Sequence, residues 1–294
     1  MFSKTLRASM PCMIALSLTI GAVAGSAQYT RTNDLPGKSA LKTELVKTGL
    51  YLISGGGCNS LLRLSASGLI VVDGKLPGNY DALLEQVHKI SDQPVRVLIN
   101  TDYQEHHTGN NAKFLEDATQ ILAQENVKQS LAAHNPPGGK AGLPTRTYDQ
   151  HLTLGLGGIE AQVLHFGNAH TCGDTAVYFP NLKVVAVGDL FASTPDPDFS
   201  AGGSLVGWGP ALAEILKLDF DVVVPGTGPM VSRADLEAFK IRIDNLVSRA
   251  TILVQKGVPK NELMAQLKTN DLGFRLSFSG ERLDRFYAEL SRAK

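Results

Sequence analysis

Four polar segments, each placed directly after a short apolar run, restrict this chain more than any other feature. The first is Asn100-Thr101-Asp102-Tyr103-Gln104-Glu105-His106-His107-Thr108-Gly109-Asn110, after the run 95–99. The second is His165-Phe166-Gly167-Asn168-Ala169-His170-Thr171-Cys172-Gly173-Asp174, the third Gly188-Asp189, and the fourth Pro225-Gly226-Thr227-Gly228-Pro229. Polar residues at the ends of strands are where loops build sites on a rigid scaffold. The pattern therefore asks for a fold in which four stretches, far apart in the chain, meet at one cleft.

Composition narrows the class. With 294 residues, 43% of them hydrophobic and 19% charged, the chain can bury a full core and shows no signature of disorder. A formal net charge of +0 gives no electrostatic reason to expect nucleic acid or an anionic membrane as partner. Residues 1–27 read as a secretory signal. Lys4 and Arg7 form its basic start, residues 13–23 an apolar run too short for a comfortable membrane span, and Gly25-Ser26-Ala27 a small-residue cleavage site. The expected location is periplasmic or secreted, with no membrane contact after cleavage, and an uncleaved anchor is the alternative. Residues 28–43 read as an N-terminal extension and 44–294 as one domain.

Period-two and apolar runs predict strands over 46–53, 60–64, 69–72, 95–99, 120–123, 151–154, 159–166, 175–179, 183–187 and 222–224. Helical spacing predicts helices over 80–90, 110–117, 126–133 and 205–218, and helical structure from Ser232 onward with caps at Ser232 and Ser279. Residues 134–147, with three prolines and three glycines, read as a loop. Strands with helices, then strands with helices again, suit two packed sheets covered by helices on their outer faces.

With the four segments in this order, the sequence resembles the metallo-β-lactamase superfamily. Members carry Thr-His-x-His-x-Asp-His-x-Gly after a strand, then His-Thr-x-Gly-Asp, a Gly-Asp, and Pro-Gly-His-Gly-Pro. The resemblance covers roughly residues 44–256 and implies a four-layer αβ/βα sandwich. It also implies two metal positions. The residues matching the first are Asp102, Gln104 and His170; those matching the second are His106, His107 and Thr227; the shared carboxylate matches Asp189. His107, His170 and Asp189 keep the family's residue types, whereas Asp102, Gln104, His106 and Thr227 depart from them.

Those departures reshape the expected chemistry. Zinc favours imidazole, thiolate and carboxylate, so an amide oxygen and a hydroxyl are poor replacements. The expectation is one divalent ion held by a subset of Asp102, His106, His107, His170 and Asp189. Zinc comes first, with iron or manganese as alternatives for a set of histidines and carboxylates. His106 and Asp189 are the expected catalytic pair, with His106 as general base. Gln104, Cys172 and Thr227 are expected to touch a small-molecule substrate. Asp73 and Asp174 read as turn residues that accept backbone N–H bonds. His88, His134 and His151 have no motif around them, and His165 lies near enough to the second segment to support it from behind. Cys172 could be a soft-metal ligand or reactive thiol, a small buried residue, or half of a disulfide with Cys58. Trp208 and Gly202-Gly203 flank the expected site. The functional expectation is a metal-dependent hydrolase acting on an ester, thioester, lactone or amide carbonyl. The alternatives are a catalytically inactive binding module on the same fold and redox chemistry at a single iron. The sequence does not set the oligomeric state.

Overall fold

The computed structural model describes residues 40–134, 138–191, 199, 202–274, 276 and 278–292. The expected signal peptide, and most of the expected extension, lie outside them. No helix among the described residues is long and apolar enough to cross a membrane.

Seven strands form the first sheet in chain order: β1 (Lys42–Lys47), β2 (Leu50–Ser54), β3 (Ser60–Ser65), β4 (Gly68–Val72), β5 (Val95–Ile99), β6 (Gln120–Gln124) and β7 (Arg146–Tyr148). β1 to β4 are antiparallel neighbours, whereas β4 to β7 run parallel, joined by crossovers. The second sheet runs β13-β12-β11-β10-β9-β8, with β8 (His151–Leu156), β9 (Ile159–Leu164), β10 (Ala176–Phe179), β11 (Val184–Gly188), β12 (Val222–Pro225) and β13 (Val231–Ser232).

Side-chain alternation decides the layering. Along β4 every residue is buried, but Ile70 and Val72 face the second sheet while Leu69 and Val71 face outward. The inward set joins Leu52, Ile99, Leu122, Val163, Val177 and Val224 in a core between the sheets. The outward set is covered by α1 (Tyr80–His88) and α3 (Asn111–Glu116), through Leu83, Val87 and Phe114. The far side of the second sheet packs against α5 (Leu205–Ile215), α6 (Arg233–Gln255) and α8 (Gly280–Arg292), with Trp208, Phe239, Ile243 and Phe286 in that core. A strand whose two faces are both buried reads as a continuous apolar run, which is how 69–72 and 184–187 appear in the sequence. The result is the expected helix–sheet–sheet–helix sandwich.

Three local readings are corrected. The run 46–53 is two strands, because the Thr48-Gly49 turn folds β1 back on β2 as a hairpin. β1 begins at Lys42, inside the segment read as an extension. The stretch read as loop 134–147 leads into a short edge strand, β7, paired with β6. The cap expected at Ser232 is a full capping box with Asp235, which starts the long helix α6.

Candidate metal centre

The first polar segment leaves β5 and turns at once into the one-turn helix α2 (Glu105–Thr108), which sets His106 and His107 side by side with ring centroids 4.0 Å apart. The second segment carries His170, the third puts Asp189 after β11, and the fourth follows β12. The structure brings His106, His107, His170, Asp102 and Asp189 to one place. They form two groups of three donors that share Asp189, namely His106, His107 and Asp189, and Asp102, His170 and Asp189. Within each group the donor atoms lie within 4.8 Å of one another.

The contacts within the cluster are close. His106 Nε2 is 3.0 Å from Asp189 Oδ2, and His107 Nε2 is 3.7 Å from Asp189 Oδ1 and 3.5 Å from Asp102 Oδ2. His170 Nδ1 is 3.4 Å from Asp102 Oδ2, and its Nε2 is 3.9 Å from Asp189 Oδ2. Asp102 and His107 are fully enclosed, while His106 is the most accessible member at 24% side-chain exposure. Trp208 packs its ring edge-on against His170 and donates its indole N–H to Leu190 O at 2.9 Å, steadying the turn that bears Asp189.

Four polar atoms of the cluster are buried without a hydrogen-bond partner: Asp102 Oδ2, His107 Nε2, His170 Nδ1 and Asp189 Oδ1. Buried polar groups are nearly always satisfied, and each that is not costs about 1–3 kcal/mol, more when charged. Carboxylate and imidazole are also the donor types that divalent zinc, iron and manganese accept. On both counts these residues fit a bound metal ion. The electrostatics agree. Burial alone would push His107 down, but the Asp102 and Asp73 carboxylates overrule it and hold it well above its ordinary value. Burial likewise opposes the charged form of His170, and the Asp102 and Asp174 carboxylates beside it raise it well above that value. Against the upward push of burial, the His106 and His107 imidazoles pull Asp189 well below the usual carboxylate range, and His107 and His170 lower Asp102. The protein has concentrated negative charge here and, without an ion, needs protons on imidazoles to offset it.

One supporting residue was read only as a turn. Asp73, directly after β4, accepts from Thr101 N at 2.8 Å and from Thr101 Oγ1 at 2.7 Å, and its Oδ2 lies 2.9 Å from His107 Nδ1. A buried carboxylate acceptor fixes the proton on Nδ1 and leaves Nε2 facing the cluster, the usual way a ligating histidine is oriented. The available signal was an acidic residue ending a fully apolar strand. Asp174 behaves as read, accepting from Thr171 N and Thr171 Oγ1. His165 Nδ1 lies 2.7 Å from Asp174 O, behind the second segment.

The residues expected to touch substrate separate. Gln104 caps α2 through its backbone: its N–H donates to Asp102 Oδ1 at 2.6 Å, and its carbonyl accepts from His107 N at 3.0 Å. Thr227 lines an open cleft of about 310 Å³ with Gly57, Cys58 and Asn59. Gly57 is where that cleft meets the cluster, since a Cβ there would lie 3.3 Å from His106 Cβ. Gly226 must be glycine for a similar reason, because a Cβ would fall 2.0 Å from Asp189 Oδ1. Cys172 is a correction. Its thiol is buried and lies 3.7 Å from Ser130 Oγ on α4 (Glu125–Ala133), and its carbonyl accepts from Asn126 Nδ2 at 2.7 Å. That is a packing position, not one that faces a substrate. Cys58 and Cys172 are both free thiols, so the disulfide considered between them is not formed.

Comparison with known proteins agrees with this fold. The metallo-beta-lactamase superfamily profile matches residues 53–227. The 2,4-dinitroanisole O-demethylase subunit alpha of Nocardioides sp. (strain JS1661) is 31% identical over 205 residues, which is 68% of this chain and 61% of that protein. The chain thus spans under two thirds of that relative's length. Among solved structures, a metallo-beta-lactamase from Pontibacter korlensis superposes with a TM-score of 0.63 at 20% identity, covering 70% of this chain and 99% of that one. A stereoselective inverting sec-alkylsulfatase from Pseudomonas sp. gives 0.65 at 16% identity, covering 84% of this chain and 47% of that one. At such identities the two structures speak for the fold. The profile match spans more than half of the sequence, and the chain belongs to the metallo-beta-lactamase superfamily.

Proposed function

We propose that this protein is a metal-dependent hydrolase that holds one divalent ion, zinc before iron or manganese, and cleaves a small ester, thioester, lactone or amide. The observation that carries the reading is the set of four buried, unsatisfied donor atoms converging from three separate segments. An ion would be held by Asp189 with either His106 and His107 or Asp102 and His170. A single ion is favoured because Gln104 and Thr227, an amide and a hydroxyl, are poor metal ligands, which leaves too few strong donors to complete two positions. When bound, the ion supplies Lewis acidity, polarising the substrate oxygen and lowering the pKa of water beside it.

The chain's own residues supply the rest. Asp73 holds His107 in one tautomer, and Gln104 N engages Asp102 Oδ1 so that Oδ2 stays available. With the ion on Asp102, His170 and Asp189, His106 Nε2, oriented by Asp189 Oδ2 at 3.0 Å, would be free to take a proton from the attacking water and return it to the leaving group. The cleft beside Thr227 would take the remainder of the substrate. As part of the same reading, export to the periplasm or medium rests on the signal-like residues 1–27.

Metal analysis of protein purified without added metal tests the proposal. About one equivalent is expected, lost in a His107→Ala, His170→Ala double variant, with chelator-sensitive hydrolysis of at least one carbonyl substrate. The assay panel should include 2,4-dinitroanisole, because the 31%-identical relative is named for its demethylation. Less than about 0.1 equivalent, with no thermal shift on adding zinc, iron or manganese, would instead establish an inactive binding module.

A further inference from the structure

Lys75 is a large, fully buried charged side chain that the chemistry above does not use. An ammonium in a protein interior is tolerated only when its donors are met. Here Nζ donates to three backbone carbonyls, Ile53 O at 2.9 Å, Gly55 O at 2.8 Å and Cys58 O at 2.8 Å. The loop between β2 and β3 is wrapped around this ammonium. A Cβ at Gly56 would press to 2.9 Å on Lys75 Cδ, and Gly56 O accepts from Leu76 N at 3.0 Å.

Both ends of this tie lead to the cluster. On the lysine's own side, Asp73 orients His107, and Gly74 N donates to His107 O at 2.7 Å. Asn110 Nδ2 clamps the same turn through Gly74 O at 2.7 Å and Leu76 O at 2.8 Å. On the loop side, Gly57 abuts His106, and the loop continues into Asn59, whose backbone N–H donates to Gly226 O at 2.8 Å. Asn59 Nδ2 donates to Pro225 O and Gly228 O, both at 2.9 Å, and so clasps the turn that carries Thr227 across to the first sheet.

We infer that Lys75 is a positioning residue: its ammonium, not its bulk, sets the register between the His107-bearing half of the centre and the Pro225–Gly228 turn. Its consequence for turnover rests on the hydrolase reading; its consequence for structure does not.

Amide hydrogen exchange on the full chain tests it, comparing wild type, Lys75→Met and Asn59→Ala. Lys75→Met keeps the stem and removes the charge. The expected result is exchange at least about tenfold faster at Cys58 and Asn59 and, remotely, at Gly226, Thr227 and Gly228, with Val185 in β11 unchanged. Asn59→Ala should reproduce the effect at 226–228 while leaving the 74–76 turn protected. Acceleration confined to 53–58, or none, overturns the inference, because a lysine that merely packs its own loop would not loosen a turn it does not touch. If Lys75→Met does not fold, Gly56→Ala, which displaces the lysine stem, decides by the same pattern. In the metal-loaded protein the inference adds a fall of about tenfold in kcat at unchanged metal content. Absence of any hydrolysis in wild type would remove the hydrolase reading and leave the exchange result standing.

Discussion

Two buried polar clusters meet where Asp73 contacts His107, and they are built on opposite terms. Around Lys75 the three donors of the ammonium each have a carbonyl, and the neighbouring Asp73 carboxylate is fully engaged by Thr101 and His107. Around Asp189 four donor atoms are buried with no hydrogen-bond partner, although carboxylates and imidazoles crowd within 4 Å of one another. A satisfied network rigidifies its surroundings; an unsatisfied one is a standing cost that a structure keeps for function. The difference separates scaffold from site without appeal to ancestry: the scaffold cluster is complete in itself, and the site cluster leaves four buried atoms open to the proposed ion.

The largest expected effect comes from the residue both donor groups share. Asp189→Ala leaves each group two donors, and bound metal should fall below about 0.1 equivalent by elemental analysis. Retention of a full equivalent would erase the contrast between the clusters. Asp73→Asn attacks the boundary between them, since it frees His107 to turn. Metal affinity, measured by competition with a chromophoric chelator, should drop about 10- to 100-fold while the fold persists.

Proton competition gives a third effect. In the metal-free protein His107 and His170 are held above their ordinary values. Their stabilising contribution is therefore fully present below about pH 6.5 and is lost as pH rises through the raised folded values. Asp189 and Asp102 are lowered, so theirs is present above about pH 4 and is lost as pH falls through the lowered folded values. Metal must displace the imidazole protons, so the Tm gain on adding zinc should grow steadily from about pH 5 to about pH 8. A gain independent of pH would place the ion elsewhere. The smallest effect belongs to Cys172→Ala. Packed against Ser130, it should cost about 1 kcal/mol of stability by denaturant titration and leave metal content intact. Loss of metal in that variant would restore the thiol as a ligand.

Much of this could be read from the chain before its structure. The apolar runs 69–72 and 184–187 announce strands buried on both faces, and the four polar segments mark the site because each ends a strand. What the sequence concealed has physical causes. Asp73 and Lys75 look like ordinary turn residues, since their roles depend on partners at Thr101, His107 and the 53–58 loop that only the tertiary fold brings near. Cys172 looked like a site residue because it lies two positions from His170. The turn directs the histidine to the cluster and the thiol toward α4, which spacing alone does not reveal. Counting ligands by matched position already pairs Asp102 with His170 and His106 with His107 around a shared Asp189, the same two sets that the structure brings together.

The central claim is that an ion completes the Asp189 cluster. Anomalous diffraction from crystals of protein purified without chelator tests it most directly. A peak about 2.0–2.2 Å from an oxygen of Asp189 and from the imidazole nitrogens of one donor group is the expected result. Well-ordered His107, His170 and Asp189 side chains with no anomalous density between them, even after soaking in zinc, iron or manganese, would contradict the account.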